Sequence, residues 1–336
     1  MPPDLDADNP ALNHQLVLVT GATGFIGSRL VERLQAAGAH VRGLVRSTAK
    51  ATELAARGVE IAVGDLADGE SLRRAVRGCS IVFSVAGWTG RPLSLAAARR
   101  VNVEGTRSLV QAAIEAGVRR VVHTSSIAAY GLFGDGIVDE SWPLRAVDVY
   151  GATKAQSETI VRSCAGQIEI AILRPAQVFG PRGGSWTTTL YEAVKRGLPI
   201  LVGGGIGTFH PCYVGNLADA YCLAAVRPAA AGEAFTIVDG ALTWREFASY
   251  YGRMAGRCPR SIPAWSVRQI DACVAFAARL LRRPLLVPPG FYSFLAGSLR
   301  YSNEKARRLL GWSPRVSIEE GMHRVEAWLR ETRRLK

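Results

Sequence analysis

Six cysteines are scattered over 336 residues, at 79, 164, 212, 222, 258 and 273, and no two have C-x-x-C spacing. That argues against a disulfide framework and against a thiolate metal or redox site; free thiols in a chain this long point to a reducing compartment, the cytoplasm. The five histidines (14, 40, 123, 210, 323) have no ligand spacing either, so no metal is expected. The chain also lacks any run of about 18 uncharged apolar residues, the length a bilayer-spanning helix needs. Its opening MPPDLDADNP is acidic and has no apolar core, unlike a secretion signal, and residues 1–14 read as a disordered lead-in. No repeat, low-complexity linker or basic stretch interleaved with stacking aromatics occurs, so no nucleic-acid partner is expected.

What is present is an ordinary globular balance: 48% hydrophobic and 21% charged residues, with a net charge of +13. The basic residues are dispersed and read as a solvated surface. Over residues 15–180, short β-branched runs (16–20, 41–46, 59–63, 81–86, 118–125, 168–174) alternate with amphipathic stretches (28–37, 93–116, 149–164). That alternation predicts βαβ units and a doubly wound parallel sheet of Rossmann type. After Pro181 the pattern changes. Residues 181–336 read mainly as a smaller substrate-binding lobe, with glycine-rich loops, a strand at 234–238 and helices at 214–226, 244–254, 266–281 and 317–330. Some of these elements cross back to the first domain. The apolar stretch 266–281 is expected as a buried lobe helix; a greasy substrate cap and a membrane-touching surface are the alternatives.

The first strand runs into Thr20-Gly21-Ala22-Thr23-Gly24-Phe25-Ile26-Gly27. Glycines at 21, 24 and 27 suit a tight turn, close backbone approach to a pyrophosphate, and helix–strand packing. The helix that follows aims its N–H groups and dipole at the phosphates. The candidate dinucleotide loop is therefore Gly21, Thr23, Gly24, Phe25, Ile26 and Gly27. An acid after the second strand would bind the adenosine ribose of NAD; here stand Arg46 and, further on, Lys50, which favours the 2′-phosphate of NADP, with NAD as the alternative. Asp65 and Leu66 follow the third strand, where an adenine amino group can be read. Val85, Ala86 and Gly87 end the fourth and are expected beneath the nicotinamide ribose.

Tyr150 and Lys154 are four residues apart, which on a helix puts both on one face. A tyrosine's usual pKa of about 10 is too high for a base at neutral pH. The neighbouring ammonium is expected to lower it. Ser126 ends the fifth strand, at the edge where open α/β sheets bind ligands. Its hydroxyl can orient a substrate oxygen while Tyr150 moves the proton.

The motifs TGATGFIG (20–27), GDL (64–66), VNVEGT (101–106), TSSIAAYG (124–131), YGATK (150–154) and RPAQVFGP (174–181) resemble the extended short-chain dehydrogenase/reductase, or NAD-dependent epimerase/dehydratase, family. Within it the chain is most similar to the dihydroflavonol reductase and 3β-hydroxysteroid dehydrogenase-like branch. The resemblance implies catalytic roles for Ser126, Tyr150 and Lys154, and a supporting role for Asn102 toward the active-site helix. It implies cofactor contacts for Ser125, Tyr150, Lys154, Pro175, Ala176 and Val178, and a homodimer paired through helices 93–116 and 149–164, whose outward faces are expected to be rich in alanine and valine. Candidate substrate contacts are Trp88, Thr89, Ser126, Gln177, Trp186 and His210, with Tyr213 a further pocket candidate. Sugar-nucleotide members commonly carry an Arg-Asp-Phe-like run before the Tyr-Val segment; here Thr208–Tyr213 holds no arginine. The implied activity is carbonyl/alcohol interconversion on a small, largely apolar molecule. A sugar-nucleotide epimerase or dehydratase is the alternative, and a non-catalytic NADP-binding regulator the third reading.

Overall fold

The computed structural model describes residues 12–89, 94–131, 135–281 and 290–335. Its centre is a seven-stranded parallel sheet built from β1 (Leu16–Thr20), β2 (His40–Val45), β3 (Glu60–Val63), β4 (Ile81–Ser84), β5 (Arg120–Thr124), β6 (Glu169–Pro175) and β7 (Ala234–Ile237). The spatial order is β7-β6-β5-β4-β1-β2-β3. The chain winds outward from β1 to β3, then crosses back to start β4 on the other side of β1, leaving a crevice beyond the carboxyl ends of β1 and β4. Period-2 alternation feeds both faces: Val17 and Val19 of β1 join one core cluster, Leu18 the other.

Helix α1 (Phe25–Ala36) packs against α5 (Val214–Val226) on one face, while α2 (Gly69–Val76), α3 (Gly105–Glu115) and α4 (Val149–Ser163) cover the other. Two elements from beyond Pro181, β7 and α5, thus complete the nucleotide-type sheet. The rest of the second half surrounds an aromatic core: Phe209, Trp244, Phe247 and Tyr251, closed by Met322, Val325 and Leu329 of α8 (Ile318–Glu331). Helix α6 (Trp244–Ala255) starts at a reciprocal cap in which Thr243 and Glu246 satisfy each other's backbone N–H.

Four expectations change. Of the 1–14 lead-in, residues 1–11 lie outside the described residues, but Leu12 is fully buried and the His14 N–H donates to Gly38 O at 2.9 Å, so packing begins before β1. The predicted helix 93–116 runs unbroken from Leu95 to Glu115 but is not a uniform α-helix, widening to a π-type stretch at Arg99–Glu104 before α3 begins. The outward face of α3 holds Arg107, Gln111 and Glu115, continuing from Glu104 just before it, and its Val110, Ala112 and Ala113 are buried. On α3, therefore, the small side chains pack inward, while Leu95 and Ala96 of the preceding turn are exposed. Finally, helix α7 (Val267–Leu281) buries Val267 alone and is not a buried lobe helix.

Candidate active site

The glycine loop and the end of β4 are built against each other. Thr20 Oγ1 accepts the backbone N–H groups of Val85 and Ala86, each at 3.0 Å. Gly21 sits at φ +69°, and a Cβ there would lie 3.0 Å from the Ala86 Cα. A Cβ on Gly27 would collide with the Gly21 carbonyl. Gly24 is the N-cap of α1 and has no side chain to cap with, so no side chain occupies the first-turn N–H groups of Phe25, Ile26 and Gly27. A bare, electropositive cradle of backbone with no room for a Cβ fits a dinucleotide pyrophosphate. Helix α1 begins three residues earlier than its 28–37 pattern predicts, because Phe25, Ile26 and Gly27 are already its first turn.

Arg46, exposed just past β2, forms no ion pair among the described residues. Lys50 lies in the turn Thr48–Lys50, and its side chain is outside the described residues. Asp65 is half-buried, its Oδ1 accepting the Ala67 N–H at 2.8 Å. Leu66 is buried, packed so closely on Gly105 that a Cβ there would sit 2.8 Å away.

Beyond β4 and β5 the catalytic candidates converge. Asp148 caps α4 by accepting the Gly151 N–H at 2.7 Å, and Gly151 presses on the Ala128 carbonyl, seating the helix against the turn that follows Ser126. Ser126 Oγ accepts the Ala128 N–H at 3.2 Å and stands beside the Tyr150 phenol, whose pKa it helps to hold down. Lys154 is buried, its ammonium donating to Thr124 O at 2.8 Å and standing 5.9 Å from the centre of the Tyr150 ring. A Cβ on Gly87 would meet that ammonium at 3.2 Å, so glycine at 87 keeps space over the lysine. Asn102 accepts the Trp88 N–H at 2.6 Å and donates to Thr153 Oγ1 at 3.0 Å, tying the β4 exit to α4.

The expected lowering of the Tyr150 pKa is not what these surroundings produce. Burial pushes the phenol up to about 12, the neighbouring Ser126 hydroxyl opposing and the Asp148 charge adding. Lys154 is turned toward a carbonyl rather than the phenol oxygen, and its own pKa is drawn down by burial to about 8, with the Glu158 charge holding it up. Tyr150 is thus a proton donor at neutral pH. Behind it His123 is neutral, its pKa pushed far down by burial and the Lys154 charge. Because Ser157 Oγ donates to Lys154 O, it accepts from His123 Nε2, which leaves Nδ1 to accept from Ser84.

This is a Rossmann crevice with a serine, a tyrosine and a lysine at the carboxyl edge of its sheet, and the family model for the NAD dependent epimerase/dehydratase family matches residues 17–238. The chain belongs to that family. A 4-hydroxy-2-methyl-3-oxo-4-farnesyl-3,4-dihydroquinoline-1-oxide ketoreductase of Stigmatella aurantiaca is 33% identical, covering 90% of this chain and 93% of its own length. A 2-alkyl-3-oxoalkanoate reductase of Stenotrophomonas maltophilia is also 33% identical, covering 93% and 98%. Among solved structures, the dTDP-glucose 4,6-dehydratase DesIV of Streptomyces venezuelae, with NAD and TYD bound, superposes with a TM-score of 0.77 at 26% identity, over 95% of this chain and 98% of that one.

In this epimerase/dehydratase-family chain the substrate candidates divide. Trp88 is half-buried and Thr89 exposed at the crevice mouth. Gln177 and His210 are buried together, the Gln177 Oε1 accepting the His210 N–H at 3.2 Å, and His210 stacks edge-on against Tyr301. Trp186 joins the lobe's aromatic core beside Phe209 and Trp244, and Tyr213 is buried on Phe179, so Tyr213 is a packing residue. Pro175 ends β6; Ala176 is buried and Val178 half-buried on the next short strand, Gln177–Phe179.

Sequence reasoning missed the group beneath the site. Glu158 is fully buried, held by Arg174 Nε at 2.9 Å and Nη2 at 2.6 Å, and it accepts from Ser125 Oγ at 2.5 Å. Arg174 also donates to the Tyr130 hydroxyl at 2.8 Å. The available signal was that Tyr150, Lys154 and Glu158 repeat every four residues along one helix face.

Proposed function

We propose that this chain reduces a ketone, or oxidises the matching alcohol, on a small and largely apolar substrate, with Tyr150 as the acid/base. The observation that carries the reading is the convergence of Ser126 and Tyr150 at the carboxyl end of β5, with the buried Lys154 ammonium 5.9 Å from the Tyr150 ring. The Ser126 hydroxyl orients the carbonyl oxygen, and the protonated Tyr150 donates to it as the carbon is reduced. Lys154 places a cation behind the tyrosine and stabilises the phenolate left by the transfer. A nicotinamide cofactor, when bound, supplies the hydride. Candidate holders are the glycine loop (Gly21–Gly27), Asp65, Leu66, Val85, Ala86, Gly87 and Ser125, with Pro175, Ala176 and Val178.

Two further parts belong to the reading. NADP is the preferred cofactor, on the strength of exposed Arg46 and the absent acid beyond β2, and NAD is the alternative. The protein works as a cytoplasmic homodimer, and an isologous contact is the usual arrangement. Light scattering near twice 36.1 kDa supports the dimer, and a monomeric mass counts against it.

The sugar-nucleotide reading draws support from the likeness to the dTDP-glucose dehydratase. Against it, Thr208–Tyr213 holds no arginine, and Arg182 and Lys195, two cations elsewhere in the second half that could meet a diphosphate instead, have partners of their own. Arg182 pairs with Glu53 at 3.4 Å, and Lys195 donates to Arg334 O at 3.0 Å. The test is to incubate the enzyme with NADPH and a panel of alkyl, aryl and steroid-like ketones, and separately with UDP-sugars. Ketone-dependent loss of NADPH is expected. Epimer or dehydrated-sugar formation with no ketone turnover overturns the proposal.

A further inference from the structure

Helix α7 has 15 residues, about 22 Å at the usual rise, and a helix this apolar ordinarily hides its stripe. Here only Val267 is buried. At 100° per residue, Val267, Ile270, Asp271 and Val274 share the inward side, where the Asp271 carboxylate accepts the N–H groups of Tyr292 at 3.3 Å and Ser293 at 3.0 Å. The opposite side carries Phe276 and Leu280, 68% and 69% exposed, flanked by Arg268 and Arg279. Trp265, just before the helix, is 76% exposed, and so at 77% is Ile206 of the glycine-rich loop. Gly203 of that loop lies against Ala264 and Gly207 against the Leu295 carbonyl, which brings Ile206 to the same end of the lobe.

Basic residues lie on and beside this apolar tip: Arg268 and Arg279 on α7 itself, and Arg245, which donates to Gly204 O of the loop that carries Ile206. Residues 244–281 hold six arginines (245, 253, 257, 260, 268, 279) against two acids, Glu246 and Asp271. Both acids are consumed internally, Glu246 in the cap of α6 and Asp271 on the 291–296 helix. None of the six arginines forms an ion pair among the described residues. A second copy meeting this face across a two-fold axis would set like charge against like. A complementary occupant is apolar below and anionic above.

We propose that α7, together with Trp265 and Ile206, docks this protein on an anionic phospholipid surface. The apolar face lies within the interface and the arginines lie at phosphate level. Among the described residues no helix is long and apolar enough to cross a membrane, so the helix lies in the plane of the surface. This inference stands independently of the redox reading.

The test is co-sedimentation of the full chain with vesicles of pure phosphatidylcholine, and with vesicles of equal parts phosphatidylglycerol and phosphatidylcholine. Binding is expected to the mixed vesicles, weaker by tenfold or more on the neutral ones and in high salt. Phe276→Ser with Leu280→Ser should lose at least tenfold in binding while keeping turnover of a water-soluble ketone. Arg268→Gln and Arg279→Gln, which touch only exposed side chains, should each lose about fivefold. Equal binding to both lipids, or to neither, overturns the proposal. So does a dimer that the Phe276/Leu280 variant turns into a monomer, which identifies a second copy as the occupant.

Discussion

The two halves of this molecule handle buried polarity in opposite ways. Under the crevice of the first half, Lys154, Glu158, Arg174, His123 and Asn102 are all buried, and each has at least one partner within 3.0 Å. The second lobe is held by aromatics, with Phe209 and Phe247 stacked at 4.0 Å and Trp244 crossing Phe209 at 4.6 Å. Of the four buried polar side-chain atoms with no hydrogen-bond partner among the described residues, three, Trp244 Nε1, His210 Nε2 and Asp239 Oδ1, lie beyond Pro181, and the fourth, Trp88 Nε1, lies just past β4. The contrast separates two jobs. Fixed, partnered charges preorganise proton transfer; apolar packing supplies stability and tolerates a few unpaired atoms.

The sharpest way to break that contrast is Tyr150→Phe. Turnover should fall by about 10²–10⁴, with cofactor affinity and melting temperature nearly unchanged, because only the proton carrier is lost. Retention of a tenth of the activity removes Tyr150 from the mechanism. Phe247→Ala should do the reverse, costing about 3–5 kcal/mol of stability in denaturant titration while the folded fraction keeps its kcat. Loss of kcat without loss of stability would merge the two jobs. Glu158→Gln tests the partnered half. It leaves Arg174 buried beside a neutral amide, and breaking such a pair costs about 3–5 kcal/mol when one partner is removed outright, so the isosteric amide should cost somewhat less.

Two pH dependences are smaller. Lys154 loses its proton as pH rises through about 8, so ketone reduction should decline above that value; a rate flat to pH 10 argues against a role for the lysine charge. Asp239 has its carboxyl raised by burial from 3.8 to about 7, the Tyr213 and Asn216 hydrogen bonds opposing. Between those values the folded chain holds a proton that the unfolded chain releases, so stability should fall as pH rises from about 4 to 7. Asp239→Asn should flatten that part of the melting-temperature profile.

Much of the candidate site was legible because its signals are local. β1 and α5 fall on the residues their patterns predict, and the other central strands fall within two residues. The three glycines stand where backbone meets backbone, and Tyr150 and Lys154 share a face because four residues make about one helical turn. The upward direction of the Tyr150 pKa was not legible, since the sequence places the lysine nearby but says neither that the phenol is buried nor that the ammonium turns to Thr124. The same limit hid which side of α3 is wet and which side of α7 is covered.

The sequence by itself determined the order of strands and helices, the phosphate-type loop and the pairing of tyrosine with lysine, all properties of dihedral preference and short-range periodicity. Tertiary structure alone decided the rest. Glu158 meets Arg174 only because α4 lies over β6, and Tyr130 reaches Thr236 across 106 residues of chain. Hydrogen bonds and burial depend on distance in space, and residues far apart in sequence acquire that distance only when the sheet has brought them together.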